Sequence, residues 1–190
     1  MSQSAAATLD TALAAAGDLT ARIGLIRKAI PGRIAFSTSL GLEDQAVLHA
    51  IAAAKADIDV FTLDTGRHFQ ETLYTIAASE DRYSLPIRLV APEADEAQSL
   101  TSRDGVLGFR KSIEARKACC DVRKVQPLRR ALQGATGWIT GLRREQAPGR
   151  AEVPFVTFDA GFGLLKANPL ADWSLAQLEA YISTDRKSVV

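Results

Sequence analysis

Cys119 and Cys120 are adjacent, and they are the two cysteines of this 190-residue chain. Adjacent cysteines close only a strained ring, so the pair reads as free thiols or metal ligands and not as a disulfide. A bare pair would read more readily as two buried structural thiols; its setting is what marks this one. From Arg110 to Arg150 the chain carries 11 Lys and Arg against 3 Asp and Glu, whereas Gly41 to Asp104 carries 12 Asp and Glu against 5 Lys and Arg. A basic block of this kind is a solvated face, a nucleic-acid patch or the wall of an anion pocket. Aromatic residues for base stacking do not interleave with it, so nucleic acid is excluded as a partner. A pocket for a small anion is favoured.

Three further stretches have the residue types of a polar site. Ser37-Thr38-Ser39-Leu40-Gly41-Leu42-Glu43-Asp44 opens a helix, and hydroxyls with free N–H groups at a helix start can seat an anion. It is not a Walker A loop, which ends in Gly-Lys-Ser/Thr, nor the dinucleotide fingerprint. The plain alternative is a strand-to-helix turn in which Glu43 and Asp44 favour the helix dipole. Asp64-Thr65-Gly66 is a second turn, and an ordinary Asp-x-Gly turn explains it equally well. Gly141-Leu142-Arg143-Arg144-Glu145-Gln146 offers guanidinium forks, which match phosphate and sulfate oxygens as lysine cannot; its alternative is a solvated basic loop. His68 reads as a helix-start residue and His49 as a structural histidine.

The elements that must position these residues follow from periodicity. Apolar steps of three and four from Leu9 through Ile30 predict one amphipathic helix, stopped by Pro31-Gly32. Residues before Thr8 show no pattern. Strands are predicted at Arg33–Phe36, Ile58–Leu63, Pro86–Val90 and Gly137–Thr140, with helices after the first three. Val153–Phe158 and Leu164–Lys166 predict a hairpin or edge pair. Ser174, with Gln177 three residues on, caps a last helix by a capping box. Alternating strands and helices predict an α/β domain with a doubly wound, mostly parallel sheet. Such a sheet binds its ligand beyond the carboxyl ends of its strands. That rule selects the same three loops: Ser37–Asp44, Asp64–Arg67 and Gly141–Gln146.

The spacing Ser39-x-Gly41-x-Glu43-Asp44 resembles the modified pyrophosphate (PP) loop of adenine nucleotide alpha hydrolase-like proteins. In their ATP-cleaving members the loop reads Ser-Gly-Gly-x-Asp-Ser; Leu40 and Asp44 depart from it and point away from ATP cleavage. The stretch Lys117-Ala118-Cys119-Cys120 with Arg123-Lys124-Val125-Gln126-Pro127-Leu128 is similar to assimilatory adenylyl-sulfate (APS) reductases of the PAPS/APS reductase family. The resemblance runs from about Leu19 to Ile182. It implies a substrate site of Ser37, Ser39, Gly41, Glu43 and Asp44 in the loop and Asp64, Thr65 and Gly66 beside the adenosine. Lys124, Arg143, Arg144, Gln146 and Lys166 would surround the anionic part. It also implies that Cys119 and Cys120 supply two of the four thiolates of a [4Fe-4S] cluster. Reductases of the 3′-phosphorylated substrate (PAPS) generally lack the Cys-Cys segment, so the pair favours APS.

In that family a C-terminal cysteine attacks the sulfur of APS, AMP leaves, and thioredoxin releases sulfite from the resulting S-sulfocysteine. Neither that cysteine nor the later Cys-x-x-Cys of the cluster is among these residues. The expectation is therefore an inactive fragment of a thioredoxin-dependent APS reductase that holds no stable cluster. A PAPS reductase and a non-catalytic nucleotide-binding fragment are the alternatives. The expected division is an N-terminal segment at 1–18, an incomplete reductase domain at 19–184 and a tail at 185–190. That tail, Asp185-Arg186-Lys187-Ser188-Val189-Val190, is encoded by GATCGGAAGAGCGTCGTG, the start of a common sequencing adapter, and is expected to be an artefact.

Composition sets the remaining bounds. Hydrophobic residues make up 47% and charged residues 24%, with a net charge of +1, the mix of a globular domain and not of a disordered chain. No apolar run is long enough for a membrane helix, and no secretory signal is expected. A cytoplasmic protein with no membrane partner is expected, with a homo-oligomer left open.

Overall fold

A computed structural model describes residues 3–184; the tail expected at 185–190 lies outside the described residues. The chain runs through α1 (Gln3–Ala15), α2 (Leu19–Ala29), β1 (Ile34–Ser37), α3 (Leu42–Ala53), β2 (Asp59–Leu63), α4 (Gln70–Tyr83), β3 (Arg88–Val90) and α5 (Ala94–Asp104). It continues with α6 (Ile113–Cys120), α7 (Gln126–Leu132), β4 (Gly137–Ile139), β5 (Val156–Asp159), β6 (Leu164–Ala167) and α8 (Leu175–Ser183).

The six strands form one sheet in the order β3-β2-β1-β4-β6-β5. Every neighbouring pair is parallel except β5 with β6, the expected late hairpin. Side chains alternate across a strand, and β1 shows what that does here. Ile34 and Phe36 enter a large core with Leu19, Ile23, Val47, Ile51 and Leu178 from α2, α3 and α8. Ala35 points to the other face, where Phe61, Trp138 and Leu164 meet Ala131 and Leu132 of α7. Phe36 and Phe61 are both fully buried, each contributing about 1.5–3 kcal/mol. The sheet is thus covered on both faces, as the alternation predicts. The edge strand β5 is covered by α1, where Asp10 accepts the Val156 N–H at 2.9 Å, which blunts an otherwise open edge.

Two differences from the sequence reading have physical causes. The single stripe from Leu9 to Ile30 is two helices, because Asp18 takes an extended conformation and caps Ala21 N at 2.8 Å. An N-cap aspartate starts a new helix in preference to continuing the old one. Helix α1 also begins earlier than Thr8, at Gln3, in keeping with the high helix propensity of its alanines.

The cysteine segment is helical throughout. A π-helical turn, Asp121–Val125, joins α6 to α7. Pro127 in the first turn of α7 has no N–H to donate, and the N–H of Gln126 bonds back to Asp121 O, five residues earlier.

Candidate functional site

The carboxyl ends of β1, β2, β4 and β6 open into one cavity of about 560 Å³, within the usual size of a small-molecule site. Ser37 reaches it from the end of β1, Ser39 from the loop that follows, Glu43 and Asp44 from the start of α3, and Thr65 from the turn after β2. Lys124 enters from the π-helical turn, Gln146 from the loop after β4, and Lys166 from β6. All eight were expected from the sequence. Thr38, inside the selected loop Ser37–Asp44, also lines the cavity, as do Thr62, His68, Trp138, Thr140 and Arg150, which sequence reasoning did not select. The strand-end rule could have found Thr62 and Thr140, which sit at or next to the ends of β2 and β4.

The β1 loop is closed on itself. Asp44 Oδ2 accepts from Ser39 N at 2.5 Å and from Ser39 Oγ at 2.6 Å. Leu40 N donates to Thr38 Oγ1 at 3.0 Å, and Leu40 holds a φ of 67°. That left-handed conformation is one a glycine adopts freely and leucine does not. Asp44 is buried, and burial raises its carboxyl above the ordinary value against the lowering effect of its Ser39 bonds. Gly141 is required opposite it: a Cβ there would meet Asp44 Oδ1 and lie 3.0 Å from the Glu43 Cβ.

Glu43 is the centre of a second cluster. Burial raises its pKa, but its own backbone N–H, Arg143 and Gln146 outweigh that, and the net direction is down. Arg143 Nε and Nη2 donate to Glu43 Oε1 at 3.1 and 2.9 Å, and Gln146 Nε2 donates to the same oxygen at 3.0 Å. Gln146 Oε1 in turn accepts from Arg143 N and Arg150 Nη1. Gln146 therefore ties the Glu43–Arg143 pair to Arg150.

The other expected residues sit differently. Arg143 is buried, is committed to Glu43 and Trp173 O, and does not line the cavity. Arg144 lies outside it as well: its Nε donates to Val153 O at 2.8 Å, and its guanidinium covers the Phe155 ring at 5.3 Å. Each of the two guanidinium groups expected to face an anion is thus engaged with the protein. Gly41 is the N-cap of α3. Asp64 Oδ1 accepts Gly66 N at 2.8 Å, the closed Asx turn that was its plain alternative. Gly66, at φ 65°, lies beneath Arg123: a Cβ there would stand 3.2 Å from Arg123 Nη1.

The cationic lining is Lys124, Arg150 and Lys166. Burial lowers the Lys166 pKa below the ordinary value, with nearby Asp159 opposing and Arg150 assisting. Lys166 Nζ stands 4.6 Å over the Trp138 ring, and Trp138 Nε1 donates to Ser37 Oγ at 2.9 Å. Of the two histidines, His68 Nε2 is 3.0 Å from Leu63 O at the cavity wall. His49 Nδ1 is 2.7 Å from Tyr181 Oη, away from the cavity, a structural pairing.

Cys119 is half-buried and Cys120 exposed, both as free thiols at the end of α6. Cys119 borders a small recess with Arg67, Thr101 and Phe109. The buried Nε atoms of Arg67 and Arg123 have no hydrogen-bond partner among the described residues. Arg123 Nη2 bonds Thr101 on the recess wall at 3.3 Å. Orphaned cationic donors beside a thiol suit a thiolate-rich anionic group, so the donor chemistry here fits an iron–sulfur cluster. The ligand count does not, because a [4Fe-4S] cubane takes four thiolates and this sequence carries two.

Residues 33–189 match the phosphoadenosine phosphosulfate reductase domain family. The chain is 46% identical to an adenosine 5′-phosphosulfate reductase of Agrobacterium fabrum over 94% of its own length and 68% of the relative's. It is 48% identical to one of Allochromatium vinosum over 80% of its length and 60% of the relative's. The chain thus spans about two thirds of the length of the curated relatives it matches. The crystal structure of a phosphoadenylyl-sulfate (PAPS) reductase from Candida auris, a phosphate complex, superposes with a TM-score of 0.80. It covers 97% of this chain and 87% of that one at 23% identity, which establishes the shared fold. A mostly parallel sheet, a cavity at its strand ends and these matches lead to one conclusion: the chain belongs to the phosphoadenosine phosphosulfate reductase domain family.

Proposed function

We propose that the chain is the nucleotide-binding body of an adenosine 5′-phosphosulfate reductase of sulfate assimilation. The overall reaction is APS with a thioredoxin dithiol giving sulfite, AMP and thioredoxin disulfide. The observation that carries this reading is the convergence of three strand-end loops and Lys124 on one cavity, with Cys119-Cys120 on the same helical segment as Lys124.

In this reading the polar loops after β1 and β2 hold the adenosine. Lys124, Arg150 and Lys166 face the phosphosulfate, where charge-assisted hydrogen bonds are strongest. These cations stabilise the AMP that departs when the S–O bond to its phosphate breaks. The attacking group is a cysteine thiolate, which gains the sulfonate as an S-sulfocysteine. A thioredoxin thiolate then attacks the cysteine Sγ of the S-sulfocysteine, sulfite leaves, and the second thioredoxin thiol resolves the mixed disulfide, which returns the cysteine and gives thioredoxin disulfide. Cys119 and Cys120 are assigned to metal ligation and not to attack, so this chain by itself is read as inactive. A [4Fe-4S] cluster completed by further thiolates, a cytoplasmic setting and the boundaries 19–184 belong to the same proposal.

Calorimetry with AMP, APS and adenosine 3′,5′-bisphosphate tests the site. The reading expects AMP and APS to bind and the 3′-phosphate to add nothing. Tighter binding of the bisphosphate would move the substrate to the 3′-phosphorylated class, and no binding of any nucleotide would overturn the site. Sulfite release with APS and reduced thioredoxin tests the assignment of the thiols: turnover above a C119S/C120S double variant would overturn it.

A further inference from the structure

We infer that Trp138 is a positioning residue for the anionic end of the ligand: its indole holds Ser37 and Lys166 in place and leaves the protons of both for the ligand. The inference rests on the reading of the cavity as an adenine-nucleotide site.

Strand register builds the arrangement. Trp138 in β4 is the direct partner of Ala35 in β1 and of Lys166 in β6. Side chains alternate along a strand, so Ser37, two residues beyond Ala35, shares their face of the sheet. Three adjacent strands thus present Ser37, Trp138 and Lys166 in a row, and all three line the cavity. The tryptophan is 8% exposed, and the Phe162 ring packs on it in a T-shaped contact, centroids 5.4 Å apart. The indole is therefore a buried, braced platform at the cavity floor.

An indole N–H donates and never accepts. Trp138 Nε1 gives its proton to Ser37 Oγ at 2.9 Å. The serine's own proton is then turned elsewhere, and it has no acceptor among the described residues. The face of the same ring attracts the Lys166 ammonium, 4.6 Å from its centroid, through the ring quadrupole. A carboxylate in that place would neutralise the ammonium and occupy its protons; a ring holds the charge and leaves it a charge. Lys166 has no hydrogen bond or ion pair among the described residues. Phosphate and sulfonate oxygens accept from such donors, most strongly from the charged one. One buried side chain thereby sets two donors on the strand ends that flank it.

Binding of AMP by calorimetry and of inorganic phosphate by NMR titration test this, with far-UV circular dichroism as the folding control. Phenylalanine at 138 keeps a ring beneath Lys166 and removes the N–H; leucine removes both. Trp138→Phe should weaken AMP binding about three- to tenfold, the scale of one hydrogen bond. Trp138→Leu should weaken it further, through the lost cation–π contact. Trp138→Phe should cost little more in a Ser37→Ala background, because the bond it breaks is already gone. In a Lys166→Ala background Trp138→Phe and Trp138→Leu should cost the same, because no ammonium is left for the ring to hold. Additive losses in both backgrounds are what a merely structural tryptophan gives, and they overturn the inference. Wild-type affinity in a folded Trp138 variant overturns it too. The indole N–H resonance of Trp138, identified by its survival in Trp173→Phe, should move in Ser37→Ala. A resonance that stays in place overturns the inference even where neither Trp138 variant folds. Wild-type protein that binds phosphate but no AMP refutes the nucleotide reading, and the phosphate arm with the same variants then judges Trp138. Binding of neither overturns both.

Discussion

Arg143 and Glu43, a hundred residues apart, meet at 2.9 Å, with the arginine side chain 6% exposed and the carboxylate also held by Gln146. The contact joins the loop after β4 to the first turn of α3, the two segments that flank Asp44. An arginine whose Nε and Nη2 both go to one carboxylate has little left for a ligand. Its role is to hold two walls of the cavity in register.

Breaking that pair should cost stability in addition to any effect on binding. Removing one member of a largely buried ion pair leaves the other charge without compensation, at about 2–4 kcal/mol once the partial exposure of Glu43 is allowed for. Arg143→Ala should lower the unfolding free energy in urea by that amount, seen as a lower midpoint with an unchanged m-value. Arg143→Lys should recover only part of it, since lysine cannot reach Glu43 through two donors. Equal midpoints for wild type and both variants would show that the pair contributes nothing.

The same pair predicts an acid response. The folded-state pKa of Glu43 lies below its ordinary 4.5. Its contribution is therefore complete above pH 4.5 and is lost as pH falls through the depressed value. Asp172, held down chiefly by its hydrogen bond from Arg22, behaves the same way below 3.8. The difference in melting temperature between wild type and Glu43→Gln should be constant from pH 7 to about 5 and shrink below about 4.5. A difference that grows on acidification would reverse the sign assigned to Glu43.

How much of this was legible in the sequence depended on the range of the interaction. β-Branched runs and turn residues are local, so the parallel strands, the late hairpin and the Ser174 capping box could be read directly. The three loops could be chosen because the strand-end rule needs only element order. What Arg143 does could not be read, because Glu43 stands a hundred residues away and a guanidinium suits an anionic ligand and a carboxylate equally well. Lys124 and Lys166 were legible through resemblance. Arg150 was not, since the loop that brings it in is fixed by Gln146. The break between α1 and α2 was local, and the Gly17-Asp18 pair signalled it; the apolar stripe hid it because its period survives the break.

Lys166 should make ligand affinity fall at alkaline pH. Burial holds its pKa below the ordinary 10.5, so its charge is lost earlier than that of a surface lysine as pH rises. AMP affinity should be flat near neutrality and decline as pH climbs toward 10. Lys166→Arg stays charged throughout and should flatten that decline. Lys166→Ala should weaken AMP binding at pH 7 by about 1.5–3 kcal/mol. Identical pH profiles for wild type and Lys166→Arg would remove Lys166 from the anion contact.

Arg123 gives the last prediction. It belongs to the cysteine segment, next to Lys124, yet its Nη1 donates to Thr65 O at 2.8 Å in the β2 loop. Its Nη2 reaches Thr101 of α5, and Gly66 leaves room for it at φ 65°. The arginine does not line the cavity, but both residues it governs do: Thr65 through the direct bond and Lys124 through the chain. It is a positioning residue, and losing it should loosen two walls together. Arg123→Ala should weaken AMP binding about five- to tenfold, the scale of one hydrogen bond, with a larger loss in affinity than its change in stability accounts for. The pairing with Lys124 then separates positioning from simple destabilisation. If Arg123 orients Lys124, Arg123→Ala and Lys124→Ala should be non-additive in AMP affinity, the double variant binding little worse than Lys124→Ala alone. Full additivity of the two losses would show that Arg123 does not act through Lys124.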